Sequence, residues 1–224
     1  MTVSVIVPTL DEESCIAMTL RLLRQHRPRQ IIVVDGGSRD GTTEQAADAD
    51  LLLRSPRGRA VQMNLAAEHA TGDVLLFLHA DCALDPGALD EAERCLAGRG
   101  VAAGCFTMRV QGEGWWYRSI DRFATARVRL CGLIYGDQGL FVRRDLFHRA
   151  GGFPRLGLME DLFFSRQLRR LGRLVVASSK IWVSPRRWQR AGLARQTLRN
   201  WALTALAAGG VAPDRLARFY PPVR

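Results

Sequence analysis

The sequence predicts an α/β fold with a mainly parallel sheet, helices on both faces of that sheet and a helical tail at the C-terminus. Three observations predict this class. Short apolar runs alternate with segments of helical periodicity along residues 1–100, as in repeated strand–helix–strand units. Two of the runs, Ile31–Val34 and Val74–Leu78, are continuously apolar, which is typical of strands buried on both faces. Polar turn residues follow the strands directly.

The elements of the first half follow from periodicity and turn residues. Val3–Val7 alternates and stops at Pro8, so we expect it to be the first strand. Ile16, Leu20 and Leu23 repeat at helical spacing within residues 14–25. The further expected elements are strands at Ile31–Val34, Leu51–Leu53 and Val74–Leu78, a helix from Ala60 to His69, and a helix that Pro86 opens at its first position.

The second half is less regular. One helix is expected from a stripe of apolar residues with arginines on its other face, and its members are Trp116, Ile120, Phe123, Ala124 and Val128. The remaining expected elements are strands at Cys105–Val110, Leu140–Val142 and Leu174–Ala177, a helix over Asp161–Leu171, and a terminal helix from Leu193 to Ala208.

Length and composition exclude several protein classes. The chain has 224 residues, of which 47% are hydrophobic and 24% are charged. These values fit one domain, or one domain with a helical appendage, that buries a substantial core. They exclude a disordered chain, a collagen-like fibre and a small disulfide scaffold. They leave open an enzyme, a binding module and a peripheral membrane protein.

The cysteines and the apolar runs bear on the compartment. Five cysteines are an odd number and none of them forms a CxxC pair, so reduced thiols in a cytosolic protein are the simplest interpretation. The first apolar run lacks a basic segment before it and is typical of a strand rather than a signal peptide. The run from Trp201 to Pro213 is too short to span a bilayer, which takes about 20 residues. We therefore expect a cytoplasmic protein and leave open a peripheral position at the inner face of the membrane.

The charge is strongly positive. Lys and Arg number 32 against 22 Asp and Glu, which gives a formal net charge of +10, and Lys180 is the single lysine. Biased codon usage is one explanation. The other is an anionic partner such as nucleic acid, a phosphorylated substrate or anionic lipid, because the forked guanidinium donors of arginine suit phosphate. Composition alone does not choose among these explanations.

Three strand ends carry polar residues of the same kind. They are the segments Pro8–Glu12, Asp35–Ser38 and His79–Asp81. One such turn would only reflect the preference of turns for Asp and Gly. Because right-handed crossovers bring the carboxyl ends of parallel strands to one edge of a sheet, three such turns together predict a ligand site there.

Five segments follow one another along the chain in a recognisable order. They are SVIVPTLDEE, IIVVDGGSRDGT, GRAVQMNLAAEHATGDVLLFLHAD, GLFVRRDLFHRAGGF and MEDLFFSRQLRRLG. Together they resemble the family 2 glycosyltransferases, whose GT-A fold is a Rossmann-like member of the α/β class. The resemblance covers residues 3–175, and the tail NWALTALAAGGVAPDRLARFY is similar to a small bacterial single-domain subgroup.

The resemblance implies a division of the chain. A GT-A domain would cover residues 1–185, with a nucleotide-binding half over 1–100 and an acceptor half over 101–185. Residues 186–224 would form a C-terminal helical extension packed on the same domain. The implied enzyme transfers a sugar from a nucleoside diphosphate sugar to an acceptor hydroxyl, with inversion at the anomeric carbon.

Donor binding is expected at the strand ends and in the segment that follows Gly58. The residues that match the family there are Pro8, Thr9, Glu12, Asp35, Arg59, Asn64, His79 and Asp81. For Asn64, a solvent-facing position is the alternative. No motif specifies the donor base, the sugar or the acceptor.

The third strand end matches the metal motif of the family, which is usually Asp-x-Asp and here is His79-Ala80-Asp81. The resemblance implies that Asp81 binds Mg²⁺ or Mn²⁺, since such ions are held by one or two carboxylates and substrate phosphates. His79 replaces the first Asp, and an imidazole suits either a ribose contact or ligation of Mn²⁺. The ion would act as a Lewis acid on the leaving diphosphate.

The pair Glu160-Asp161 matches the Glu-Asp pair of the family at the start of a helix. The resemblance makes Asp161 the general base for the acceptor hydroxyl, and Glu160 would orient it or contact the acceptor. The alternative is a pair of carboxylates that stabilise a helix N-terminus. Asp137 and Gln138 are expected on the sugar or acceptor side, with ordinary turn chemistry as the alternative.

Two other function classes stay open. A nucleic-acid or anionic-surface binding module would use the basic excess, but no helix-turn-helix, zinc finger or RNP-type motif supports it, and a nucleic-acid partner is not expected. A nucleotidyltransferase of similar build would have less use for a late Glu-Asp helix. Arg186-Arg187-Trp188 is similar to part of the Gln-x-x-Arg-Trp signature of processive family members, although the glutamine is missing. It leaves open an arginine near the diphosphate.

Contact with a membrane or an amphiphilic acceptor is a further hypothesis. Trp115–Tyr117 and Arg186–Trp188 each lead a segment that is rich in arginine, and aromatic residues beside a basic face suit an anionic lipid surface. The alternative is that the tryptophans belong to the core and the arginines form a solvated face. The oligomeric state is not specified by the sequence.

Overall fold

A computed structural model describes residues 1–208 and 210–217. Within them the strands form one sheet that contains all the expected strands and one more. The strands are β1 (Val3–Thr9), β2 (Gln30–Asp35), β3 (Leu51–Arg54), β4 (Val74–Phe77), β5 (Cys82–Leu84), β6 (Val101–Val110), β7 (Leu140–Arg143) and β8 (Arg173–Val183). The helices are α1 (Ile16–Gln25), α2 (Thr42–Gln45), α3 (Arg59–Glu68), α4 (Ala88–Leu96), α5 (Trp115–Cys131), α6 (Arg144–Arg149), α7 (Glu160–Arg169), α8 (Arg186–Ala191), α9 (Leu193–Ala208) and α10 (Pro213–Ala217), with a 3-10 turn at Gly136–Gln138.

The sheet is mainly parallel, as the sequence predicts. Its eight strands have the order β3-β2-β1-β4-β7-β6-β8-β5. Neighbours are parallel from β3 to β4 and between β6 and β8. β7 is antiparallel to both β4 and β6, and β5 is antiparallel to β8. Two of these antiparallel pairs join the first half of the chain to the second: β4 pairs with β7, and β5 pairs with β8.

Helices cover both faces of the sheet, which confirms the predicted architecture. Along β1, Val5 and Val7 point to one core and Ile6 to the other, because successive side chains of a strand alternate between faces. The first core is closed by α1, α4 and part of α5, and the second by α3, α6 and α7. Val, Ile, Leu and Phe supply most of the large side chains of both cores.

Several element boundaries differ from the predictions. β6 begins at Val101 and β8 runs on to Val183, because the two strands pair along most of their length across two irregularities in register. α4 begins at Ala88 rather than at Pro86. β5 was not expected, since three residues carry too little periodicity to show a strand, and it forms by pairing with β8.

Helix α5 faces the core with part of the predicted stripe, since Ala124 and Val128 are buried and Ile120 packs against the first core. Its buried residues are Tyr117, Asp121, Ala124 and Val128, whereas Phe123 is 58% exposed. Asp121 sets this orientation, because its carboxylate accepts hydrogen bonds from the Val110 amide at 2.9 Å and from Arg118 Nη1 at 2.8 Å. The sequence pattern could not reveal that a buried carboxylate anchors the helix to the end of β6.

The C-terminal helices contact earlier parts of the chain. Trp188 of α8 is buried in the first core. Leu203 and Leu216, from α9 and α10, form a small cluster with Met159, and the Tyr135 hydroxyl bonds to Thr204. Gly209 and residues 218–224 of the predicted extension lie outside the described residues. Across 1–208 and 210–217, no helix combines the length and the apolar character needed to cross a bilayer.

Candidate active site

The predicted strand ends do meet at one edge of the sheet. β1, β2 and β4 are parallel, so their carboxyl ends lie together. The antiparallel pairing of β7 with β4 places Leu140 opposite Phe77, and this register brings the 3-10 turn Gly136–Gln138 to the same edge. The N-terminus of α7, which carries Glu160 and Asp161, lies at this edge as well.

Asp35 closes its own loop at the end of β2. Its Oδ2 accepts hydrogen bonds from the Gly37 and Ser38 amides at 2.9 Å each, and its Oδ1 accepts one from the Ser38 hydroxyl. Thr9, at the end of β1, donates to Oδ1 at 3.4 Å. Asp35 and Thr9 are both almost fully buried. The carboxylate therefore fixes the shape of the loop on the expected donor side.

Gln62 joins the ends of β1 and β2, and no motif or pattern in the sequence indicates this contact. Its Nε2 donates to the carbonyl oxygen of Thr9 at 2.8 Å and to that of Val34 at 2.9 Å. The side chain lies directly against Gly36, where a Cβ atom would come within 3.1 Å of the amide. The absence of a side chain at Gly36 therefore lets a helix side chain tie two strands together.

Arg59, His79 and Glu160 form the centre of the edge. Arg59 Nη2 lies 2.5 Å from His79 Nε2, and Arg59 Nε lies 3.2 Å from Glu160 Oε1. Because arginine only donates, Nε2 of His79 is the acceptor in this contact. Glu160 is buried, and its pKa is raised by desolvation, with Arg59 opposing the shift and the neighbouring Asp161 adding to it.

Asp161 points into the hollow between these residues. Its Oδ2 accepts a hydrogen bond from the Gly136 amide at 2.5 Å, and its Oδ1 accepts one from Leu162 N at 2.7 Å. Gly136 leaves the hollow open, since a Cβ there would meet Arg59 Nη2, lie 2.9 Å from His79 Nε2 and lie 3.2 Å from Asp161 Oδ2. Pro8 lines the same hollow.

Asp81 lies in a neighbouring cluster with Glu12 and Arg186. Arg186 Nη2 is 3.0 Å from Asp81 Oδ2 and 3.0 Å from Glu12 Oε2. Cys15 Sγ donates to Glu12 Oε2 at 3.2 Å. Burial, reinforced by the charge of Glu12, raises the pKa of Cys15 to about 12, so this residue is a neutral thiol. The broken Arg-Arg-Trp signature was the only sequence signal for Arg186.

The residues around Asp81 fit a divalent cation, and substrate phosphates would complete the coordination shell of that cation. In the part of the chain that the structure describes, no cluster of three or more His, Cys, Asp or Glu side chains could hold an ion unaided. However, Glu12 and Asp81 place two carboxylate oxygens around a single cationic nitrogen. One or two carboxylates with substrate phosphates are the usual ligands of Mg²⁺ and Mn²⁺. His79 uses Nε2 for its contact with Arg59.

Two of the predicted site residues, Asn64 and Gln138, form their hydrogen bonds outside the hollow. Asn64 holds the backbone of Phe153, donating to its carbonyl at 2.8 Å and accepting from its amide at 2.9 Å. Gln138 is fully buried and accepts a hydrogen bond from Arg127 Nη2 at 2.6 Å. Asp137 is half-buried in the 3-10 turn. In this structure Asn64 and Gln138 position backbone segments of the site.

Tyr135 and Arg127 support the turn that carries Gly136, and neither was singled out from the sequence. The Arg127 guanidinium lies 3.3 Å from the centre of the Tyr135 ring. The same guanidinium bonds to the Gln138 amide, so α5 holds the turn in place. Nothing in a linear pattern marks this contact, because it joins residues whose side chains meet only after α5 has packed.

Comparisons with known proteins agree with this geometry. The sequence profile described as Glycosyl transferase family 2 matches residues 4–156. Glycosyltransferase AglE of Haloferax volcanii is 27% identical over 169 residues, which are 68% of this chain and 56% of that protein. The mannosyltransferase PcManGT from Pyrobaculum calidifontis, solved in complex with GDP-Man and Mn²⁺, is similar with a TM-score of 0.68 and 26% identity over 80% of this chain and 56% of its own.

A second solved structure extends the comparison of folds. TarS residues 1–349 from S. aureus, in complex with UDP-GlcNAc, has a TM-score of 0.64 and 19% identity over 82% of this chain and 58% of its own. This chain thus spans little more than half the length of each of these relatives. The profile match ends before Glu160, Asp161 and Arg186, and it contains the three converging strand ends. With most of its length matched and the GT-A architecture present, the chain belongs to glycosyl transferase family 2.

Proposed function

We propose that the protein transfers a sugar from a nucleoside diphosphate sugar to an acceptor hydroxyl, with inversion and with the help of a divalent cation. The observation that carries this proposal is the position of Asp161. The carboxylate of Asp161 faces the hollow that Arg59 and His79 line, at the edge that also carries Asp81 and Glu12. A carboxylate that would accept the proton and two carboxylates that would hold the cation therefore lie at the same edge of the sheet, and this supports the proposed glycosyl transfer.

Asp161 would take the proton of the acceptor hydroxyl as that oxygen attacks the anomeric carbon. The Gly136 amide holds the carboxylate in position. Glu160 is 4% exposed and paired with Arg59, which leaves it no position from which to attack the sugar. A single displacement with one base inverts the anomeric carbon, and this supports the proposed stereochemistry.

The donor side would be held by loop backbone and by charge. Asp35 and Thr9 shape the pocket for the nucleoside, and Arg59 brings positive charge to the phosphates. Asp81, with Glu12 beside it, would hold Mg²⁺ or Mn²⁺, which neutralises the leaving diphosphate when bound. Two of the similar solved structures bind GDP-Man and UDP-GlcNAc, so a nucleoside diphosphate sugar is proposed here without a choice of base or sugar.

A donor screen tests the proposal. Release of nucleoside diphosphate from labelled nucleotide sugars would be measured with Mn²⁺ and with a chelator. We expect release with Mn²⁺, and we expect Asp81→Asn to lose it while keeping the native circular dichroism. Asp90→Asn, at an exposed carboxylate on α4, is the matched control and should turn over normally. Full turnover by Asp81→Asn or in chelator would overturn metal dependence. Release of pyrophosphate from a nucleoside triphosphate and a sugar phosphate, without release of diphosphate from any nucleotide sugar, would indicate a nucleotidyltransferase.

We further propose that the acceptor side touches an anionic membrane surface through α5 and α9. The exposed large apolar residues of these helices, with the arginines beside them, are named the α5–α9 face. Its members are Trp115, Arg122, Phe123, Arg129, Leu130, Arg195, Leu198, Trp201 and Leu206. Phe123 and Trp201 join the two helices through an edge-on ring contact with centroids 5.5 Å apart.

The charge of the α5–α9 face favours lipid over a second copy of the chain. Arg122 and Arg129 are each next to an exposed apolar residue of α5 and lie two turns apart. A second copy would bring arginine against arginine, and like charges repel. An anionic lipid surface instead attracts each nearby arginine by about 1 kcal/mol and accepts the aromatic rings among its headgroups. An acceptor with a lipid-like part would meet the enzyme there.

A further inference from the structure

Arg186 occupies a position between two carboxylates that come from different strand ends. Its Nη2 lies 3.0 Å from both Glu12 Oε2 and Asp81 Oδ2, and its Nη1 donates to Ser14 Oγ at 3.3 Å. Glu12 follows β1 and Asp81 follows β4. One guanidinium therefore forms an ion pair with both acidic groups of the cluster described above.

The fold brings Arg186 to this position and leaves it able to move. The antiparallel pairing of β5 with β8 sets Val183 opposite Cys82, so the chain that leaves β8 passes directly beside Asp81. Trp188 anchors α8 in the core. The Arg186 side chain itself is 37% exposed. The backbone is thus fixed, while the charged end of the side chain can turn away into solvent.

We propose that Arg186 is a built-in cation that holds the Glu12–Asp81 position in the donor-free protein and competes with the divalent ion for it. The inference rests on the proposed metal site. A guanidinium and a divalent ion on the same carboxylate repel each other. Binding of the ion is therefore opposed as long as Arg186 keeps its contact with Asp81. The affinity for free metal is consequently lower than the two carboxylates alone would give.

The test measures metal binding directly, on the full-length protein without donor. Free Mn²⁺ would be followed by electron paramagnetic resonance during titration of the wild type and of Arg186→Gln. Two partly exposed ion pairs are lost in the variant, and we expect its Mn²⁺ affinity to rise about tenfold. Arg190→Gln, at an exposed arginine of the same helix, removes the same charge and should bind Mn²⁺ like the wild type.

Two further variants separate the possible failures. Arg186→Lys keeps the positive charge but loses the forked guanidinium. We expect it to bind Mn²⁺ with intermediate affinity. This result would exclude a general effect of losing the side chain. Asp81→Asn should abolish binding in either background, which shows that the ion measured is the one at this site. Unchanged or weaker binding by a folded Arg186→Gln, with binding still lost in Asp81→Asn, would overturn the competition and leave the metal site standing. No Mn²⁺ binding by any variant would overturn both.

Discussion

Two regions of the molecule differ in how their side chains are arranged. They are the sheet edge that carries the site and the α5–α9 face. At the edge, carboxylates have donors beside them: Asp35 has the amides of its own loop, and Glu160 has Arg59. On the α5–α9 face, large apolar groups meet solvent, and the Trp201 side chain is 50% exposed. The carboxylates at the edge are paired within the protein, whereas the large apolar side chains of the α5–α9 face are exposed to solvent.

The difference separates two tasks. A reaction needs charges and donors held in place before the substrate arrives, because fixed dipoles cost no reorganisation during the chemical step. A docking surface needs only the right side chains in the right area. Substitutions at the edge should therefore change turnover or stability, and substitutions on the α5–α9 face should change neither.

The largest effect is expected at the proposed base. Asp161→Asn keeps the shape of the side chain and the contact with Gly136, but it removes the proton acceptor. We expect the transfer rate to fall by about 10²–10⁴, with little change in donor affinity measured by calorimetry. Asp145→Asn, at an exposed carboxylate on α6, is the matched control. A rate within a few-fold of the wild type would move the base role to Glu160 or Asp137.

The next effect concerns the tie between the first two strands. Gln62→Leu fills similar space but leaves the carbonyls of Thr9 and Val34 without their donor. We expect the free energy of unfolding in urea to fall by about 1–3 kcal/mol. Gln25→Leu, at an exposed glutamine near the end of α1, should change it by less than about 0.5 kcal/mol. Equal stability of the two variants would mean that the edge does not depend on this tie.

The α5–α9 face is tested by a double substitution. Phe123→Ser with Trp201→Ser removes the ring pair, and each buried ring would contribute about 1.5–3 kcal/mol to insertion. We expect sedimentation with anionic vesicles to weaken at least tenfold, while release of nucleoside diphosphate in solution stays unchanged. High salt should weaken binding of the wild type, because salt screens the arginines. Equal sedimentation with neutral and anionic vesicles, or none with either, would contradict the proposed contact.

The smallest effect is a dependence of stability on pH. The pKa of Glu160 is raised in the folded protein, chiefly by desolvation, so its contribution to stability is complete below the unfolded value of about 4.3 and is lost as the pH rises through the folded value. Between these limits the wild type should lose stability relative to Glu160→Gln, whose side chain does not titrate. Urea unfolding across that range measures the difference. Parallel curves for the two proteins would show that the buried carboxylate is fully compensated by Arg59.

The sequence predicted the sheet and the convergence of its strand ends because both follow from local patterns. Apolar runs define β1, β2 and β4, and parallel crossovers then dictate that their ends meet. The motif residues Arg59, His79 and Asp161 do meet at that edge. Their roles in donor and acceptor chemistry remain predictions.

Contacts between distant residues could not be predicted in the same way. Arg186 lies 174 positions from Glu12, and their contact depends on β5, a strand too short to show a pattern. Asn64 lies in a motif and yet bonds to the backbone of Phe153, because the helix turns its amide toward that loop. Linear spacing indicates which helix or loop a residue belongs to, and packing decides what its side chain contacts.

The pairing of β5 with β8 also sets an order of events during synthesis. Leu84 leaves the ribosome 99 residues before Val183, the last residue of its partner strand. At typical elongation rates that interval lasts roughly 5–20 s. Until then the segment around Asp81 lacks both its neighbouring strand and Arg186. The edge of the sheet that carries Asp81 is therefore completed late in a growing chain, although most of its residues are made first.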